Sequence, residues 1–112
     1  MSDARSQPSV SFAGGVATVT PHGDIGTYEA SSLRTAIKQA YDQRPQKLVI
    51  DLAGVPYMAT AGLATLVEAR QLAMKSSTQL VLCGLNDRVR AVFEISRLTG
   101  VFKIVATVSD AG

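Results

Sequence analysis

The sequence predicts a single α/β domain: a small mixed β-sheet, an N-terminal hairpin followed by parallel strands, packed with helices. Three observations carry this. Val16-Ala17-Thr18-Val19-Thr20 alternates with period two behind the turn signal Ala13-Gly14-Gly15, which reads as a hairpin. Leu48-Val49-Ile50-Asp51-Leu52 and Leu80-Val81-Leu82-Cys83-Gly84 are near-continuous apolar runs, the pattern of strands covered on both faces in a parallel sheet. Three further segments place apolar residues at helical spacing. A chain of 112 residues, 46% of them hydrophobic, has the length for one such domain. It can bury roughly two-thirds of the surface its unfolded form exposes, so it needs no disulfide or metal to fold.

Residues 1–8 are polar and are read as a flexible tail, residues 9–108 as the domain, and residues 109–112 as a second flexible tail. Val10–Phe12 and Val16–Thr20 form the hairpin, and the chain leaves the sheet at Pro21-His22-Gly23-Asp24. The first helix runs over Tyr28–Asp42, with Leu33, Ile37, Ala40 and Tyr41 on one side and Arg34 and Lys38 on the other. Thr27 is its expected N-cap, Glu29 sits in the first turn where the helix dipole favours an acid, and Pro45 marks the stop. After the strand Leu48–Leu52, residues 53–59 form a loop into a second helix, Thr60–Lys75. Leu63, Leu66, Val67 and Met74 make its inward stripe, interrupted by Arg70. The strand Leu80–Gly84 completes a strand–helix–strand unit. Asn86 caps a third helix that turns Val89, Val92 and Phe93 inward, Gly100 ends it, and Phe102–Val105 is the last strand. The order β-β-α-β-α-β-α-β calls for right-handed parallel crossovers.

Composition narrows the function. Eleven basic residues against nine acidic leave a net charge of +2, too small a field for a dedicated nucleic-acid binder. With no Trp, 5% aromatics and a single histidine, the chain is poorly equipped for base stacking or metal chemistry. No run of eighteen apolar residues appears, and Met1–Val10 lacks the apolar core of a signal peptide, so a cytoplasmic protein without membrane insertion is expected. Cys83, the only cysteine, lies within an apolar run and reads as an inert buried thiol with a raised pKa.

Candidate chemistry is sparse, and no catalytic residue, metal ligand or cofactor is assigned. His22 is the only histidine, has no cysteine near it in sequence, and reads as a surface residue at a strand end. Asp51 ends a buried strand, where the metal-binding aspartates of response regulators also sit. Only Asp24 could join it, so Asp51 is read as bonding a nearby backbone turn. Gly14, Gly15, Gly23 and Gly26 do not make a phosphate-binding glycine loop. Arg88, Arg90, Arg97 and Lys103 form a basic C-terminal region that reads as a solvated helix face. The informative segment is 51–63, where a strand feeds a tight loop and Thr60 stands at a helix start. A threonine there is first of all a plain N-cap, worth about 1 kcal/mol. It is also a place where a phosphate, adding about −1.5 to −2 charges, would be stabilised by the dipole and the exposed N–H groups.

At these residues the chain resembles the STAS domain family of bacterial anti-sigma factor antagonists. The likeness runs roughly from Val10 to Val108 and rests on the order and spacing of several pieces. These are Val16–Gly23, Lys47–Val55, Tyr57-Met58-Ala59-Thr60-Ala61-Gly62-Leu63 and Leu82–Arg90. In that family the working segment reads Asp-Ser-Ser-Gly-Leu or Asp-Ser-Thr-Gly-Leu, and an anti-sigma kinase phosphorylates the first hydroxyl. The resemblance therefore implies partner switching. The unmodified domain binds the anti-sigma factor, a serine/threonine kinase in much of the family, and phosphorylation at Thr60 abolishes binding. It implies a partner surface of Gly23, Asp24, Gly26 and Thr27, then Tyr57, Met58, Ala59, Ala61, Gly62 and Leu63, with Glu68 on the exposed side of the second helix. The chain departs from the family pattern twice: Ala59 replaces the acid before the hydroxyl, and Gly26 stands where an Asp often does. These departures put binding ahead of phosphorylation. Small STAS subunits of lipid-trafficking ABC transporters, which clamp an ATPase, also carry a threonine, a small residue and Gly-Leu, and form the alternative.

Overall fold

The computed structural model describes residues 7–111. The chain order is β1 (Ser9–Ala13), β2 (Val16–Thr20), α1 (Thr27–Asp42), β3 (Lys47–Asp51) and α2 (Thr60–Ser76). There follow β4 (Gln79–Cys83), α3 (Asp87–Ile95), β5 (Lys103–Val105) and α4 (Val108–Ala111). The five strands lie in sequence order. The β1–β2 pair is antiparallel and every other pair parallel, as the hairpin signal and the apolar runs predicted. Gly14 and Gly15, at φ +59° and +81°, make the two-residue hairpin turn, in which both central positions need positive φ.

Side-chain alternation sorts the strands into two faces. Ala17, Val19, Leu48, Ile50 and Leu82 join Leu33, Ile37, Leu66, Val89 and Phe93 in one buried cluster, so α1, α2 and α3 cover the same face. Phe93 meets Phe102 edge to face at 5.7 Å. Val49, Val81 and Cys83 point the other way and pack with Ala111. Because α1, α2 and α3 each follow a parallel strand, their N-termini gather at the C-terminal ends of β2, β3 and β4.

The sequence reading differs from the structure at several places. Of the expected N-terminal tail, residues 1–6 lie outside the described residues, as does Gly112. Residues expected as a C-terminal tail instead belong to α4, because Ala111 finds an apolar seat on the sheet and is only 3% exposed. Thr27 is not the N-cap of α1. Gly26 holds that position, and the Glu29 carboxylate accepts its N–H at 3.0 Å, half of a capping box since glycine offers no side chain. Thr60 is not an N-cap either: Ala59 is, without a side-chain cap, and Thr60 is the first helical residue. Gly100 does not end α3. Arg97 takes the left-handed conformation at φ +60°, with Leu98 N–H donating to Phe93 O and Arg97 N–H to Glu94 O, a Schellman stop. Met74 is not core but 65% exposed, since α2 turns Ala69 and Ala73 inward instead. No helix among the described residues is long and apolar enough to cross a membrane.

Candidate functional site

Three loops meet at the C-terminal ends of the parallel strands, and backbone bonds tie them together. Gly23 N–H donates to Gly54 O at 2.9 Å, Ile25 N–H to Tyr57 O at 2.9 Å and Ala59 N–H to Ile25 O at 2.8 Å. The last two form an isolated parallel bridge pairing Ile25 with Met58, so the β2–α1 and β3–α2 loops behave as a short extra rung of sheet. Both paired side chains are buried, at 2% and 0% exposure, which anchors the rung to the core beneath. Gly62 completes the fit. A β-carbon there would sit 2.7 Å from Met58 Cγ and 2.9 Å from Ile25 Cγ2, so only glycine lets α2 start this close to the rung.

The third loop is held by Asn86. Its Oδ1 accepts Val89 N–H at 2.8 Å and caps α3 as expected, while its Nδ2 donates to Val55 O and Pro56 O, each at 3.2 Å. Arg88, in the first turn of α3, places its guanidinium carbon over the Tyr57 ring, 5.4 Å from the centroid. Asp51 behaves as read from sequence, its Oδ1 accepting Ala53 N–H at 3.0 Å and shaping the turn out of β3.

On this platform Thr60 is exposed at the first position of α2, and its hydroxyl makes no hydrogen bond among the described residues. The first turn of α2 carries no acid. The start of a helix with neither a capping side chain nor an acid leaves backbone N–H groups and the positive dipole end without a protein anion.

The expected partner residues divide by burial. Gly23, Asp24, Thr27 and Tyr57 are exposed, and Gly26, Ala59 and Ala61 are half-buried, all beside Thr60 on the joined loops. Met58, Gly62 and Leu63 are buried and present no side chain to a partner; they support the surface from below. Glu68 stands eight residues along α2, roughly 12 Å from Thr60 at the helical rise. Arg34 of α1 donates to both its oxygens, at 2.9 and 3.1 Å. The guanidinium lowers the Glu68 pKa and is itself raised by the carboxylate. Glu68 is thus a strap between α1 and α2 as well as a surface acid. Ile25, Asn86 and Arg88 were not assigned site roles from sequence. A lone isoleucine in a polar loop, Asp24-Ile25-Gly26, is the signal that could have flagged the first.

His22 is exposed, and burial pushes the Cys83 thiol up to about 11, with the Asp51 charge adding to it. No group of three or more His, Cys, Asp or Glu among the described residues could hold a metal ion.

A five-stranded α/β domain whose distinguishing surface is three joined loops around an exposed threonine defines the class of protein. The chain belongs to the STAS domain family, whose model it matches over residues 7–111. It is 34% identical over 82 residues to the anti-sigma-B factor antagonist of Listeria monocytogenes, spanning 73% of this chain and 72% of that relative. The crystal structure of an anti-sigma factor antagonist from Mycobacterium paratuberculosis matches with a TM-score of 0.85 at 26% identity, covering 99% of this chain and 95% of that one. An anti-sigma-factor antagonist (STAS) domain protein of Planctomyces limnophilus shares the fold, with a TM-score of 0.84 at 18% identity over 96% of both chains.

Proposed function

We propose that this chain is an anti-sigma factor antagonist, acting in the cytoplasm by binding an anti-sigma factor and so releasing the sigma factor. The observation that carries the reading is the exposed Thr60 hydroxyl on a platform of bonded loops, in a chain 34% identical to an anti-sigma-B factor antagonist. Gly23, Asp24, Thr27, Tyr57, Ala59 and Ala61 form the contact surface around it, with Gly26 shaping the first loop. A phosphate added to Thr60 by a serine/threonine kinase, the anti-sigma factor itself in the simplest case, switches binding off. It places about −1.5 to −2 charges where the helix dipole stabilises them, so the domain stays folded while its binding surface becomes more negative. Opposite an acidic patch on the partner, that charge is repulsive and costs affinity. With Ala59 as N-cap and no acid in the first turn, the start of α2 itself adds no negative charge to the unmodified surface. Nothing in the geometry, and none of the relatives named above, favours a transporter subunit.

A tagged pull-down from the source cells tests both halves, with Thr60→Glu beside the native chain. An anti-sigma factor should accompany the native form and be lost from the variant. Mass spectrometry of the endogenous protein should find phosphate on Thr60 in at least one growth condition. Recovery of an ATPase and a permease in place of an anti-sigma factor would overturn the binding reading, and a bare Thr60 under every condition would overturn the switch.

A further inference from the structure

We infer that Arg88, seated on Tyr57, is the anchor that selects an acidic segment of the partner. This rests on the reading of the loop end as the partner surface and names the chemistry it recognises. Arg88 lies with its Cζ 5.4 Å from the Tyr57 ring centroid, and among the described residues its guanidinium makes no ion pair and no hydrogen bond. Arg88 is exposed, and a contact with the ring uses none of its N–H donors, so the planar fork stays available to donate to a carboxylate bidentately. Arg34 and Arg70 differ on this point: Arg34 already donates through Nε and Nη2 to Glu68, and Arg70 through Nε to Val101 O.

The backbone segments that carry the pair are also tied together before any partner arrives. Asn86 caps α3 and holds the carbonyls of Val55 and Pro56, so the element that carries Arg88 and the loop that carries Tyr57 are bonded to each other. Rigid anchors lose less side-chain freedom on binding, and arginine and tyrosine are both among the residue types enriched at the energetic centres of interfaces. Two acids belong to the same set of loops and helix starts. Asp87 precedes Arg88, and Asp24 lies on the first loop, both exposed and neither paired with Arg88. With no acid in the first turn of α2, Arg88 and the helix start both favour a negatively charged group. Tyr57, 38% exposed, offers apolar contact beside that charge. An acidic segment with an apolar neighbour is therefore the occupant that fits.

The experiment uses two probes with full-length protein. The first is a blocked synthetic peptide of alternating glutamate and leucine, titrated by NMR beside its lysine–leucine counterpart. The acidic peptide should shift the Tyr57 ring and the backbone amides of residues 57–60 and 87–89 saturably. Arg88→Gln, exposed and helix-compatible, should weaken that binding at least tenfold with an otherwise native spectrum. Lys75→Gln, which removes the same charge from the far end of α2, should bind as the native chain does. The second probe is the anti-sigma factor recovered by pull-down, whose affinity should fall at least tenfold with Arg88→Gln and lose most of its salt dependence. Equal shifts from both peptides, or native binding of either probe by Arg88→Gln, would overturn the anchor. Docking of the acidic peptide through Arg88 by a chain that captures no anti-sigma factor would leave the anchor standing and overturn the functional reading.

Discussion

The two faces of the sheet are covered very unequally. One carries three helices and a continuous core from Ala17 to Phe102, while the other is closed mainly by α4, four residues long, over Val49, Val81 and Cys83. The difference teaches where the site gets its precision. The helices that bury the thick face all begin at the loop end, so the packing that stabilises the domain also sets where Thr60, Tyr57 and Arg88 stand. The thin face contributes stability but touches none of these positions.

Adjacent residues of β4 test this most strongly, because Leu82 and Val81 are both fully buried but face opposite ways. Leu82→Ala should cost about 2–5 kcal/mol in denaturant unfolding, since the thick core collapses poorly around a cavity. Val81→Ala loses about two buried carbons, near 1.6 kcal/mol at roughly 0.8 kcal/mol each, and the short α4 can settle into the space. Equal costs would break the comparison.

A smaller effect with a larger functional readout is expected at Gly62. An alanine there drives its β-carbon into Met58 and Ile25, and overpacking of this kind costs about 1–3 kcal/mol. Better helix propensity returns up to about 1 kcal/mol of that. The net loss in a thermal melt should be modest, while capture of the anti-sigma factor should fall more steeply, because the displaced rung carries the proposed contact surface.

These contrasts also mark how much the sequence made legible. Period-two alternation and the two apolar runs were sufficient for the strands and their hairpin-then-parallel character, though not for their order in the sheet, because covering both faces of a parallel strand forces continuous hydrophobicity. The segment around Thr60 was visible as a strand–loop–helix junction. What stayed hidden depends on contacts between segments distant in sequence. Nothing local says that Ile25 will pair with Met58, that Asn86 will reach Pro56, or that Arg88 will rest on Tyr57. Local rules also failed where a neighbour outcompeted them: Glu29 reaches back to Gly26 and displaces Thr27 as the cap, and Arg97 ends α3 before Gly100 can.

Alkaline titration separates the faces again, with a weaker effect. Burial raises the Cys83 thiol on the thin face from 9 to about 11, and raises Tyr41, whose hydroxyl donates to Ala69 O at 2.7 Å on the thick face, from 10 to about 12. Both groups are neutral when protonated, and the folded state holds the proton longer than the unfolded chain does. Their contribution is complete below the unfolded pKa and is lost as pH rises towards the folded value. Stability should therefore decline from about pH 9, Cys83→Ala should flatten the part up to about 11, and Tyr41→Phe the part from 10 to about 12. A curve that is flat across this range in the native chain would show that neither group is shielded as the packing implies.

The smallest effect is expected at Glu68, and its size decides whether that residue serves the fold or the partner. Arg34 holds the Glu68 pKa below its ordinary value, so whatever the pair adds to stability is present at neutral pH and is lost as pH falls through the acid range. Both side chains are far from buried, at 40% and 50% exposure, and water and salt screen such a pair strongly. Glu68→Gln should leave the thermal midpoint within the reproducibility of the measurement and erase only a slight salt-sensitive dip below pH 5. If Glu68 acts only as a strap between α1 and α2, partner affinity should not change either, because the residue stands two turns beyond Thr60. A tenfold loss of affinity without loss of stability would instead extend the contact surface along α2, and the partner would then have to present a cation opposite Glu68 and a carboxylate opposite Arg88.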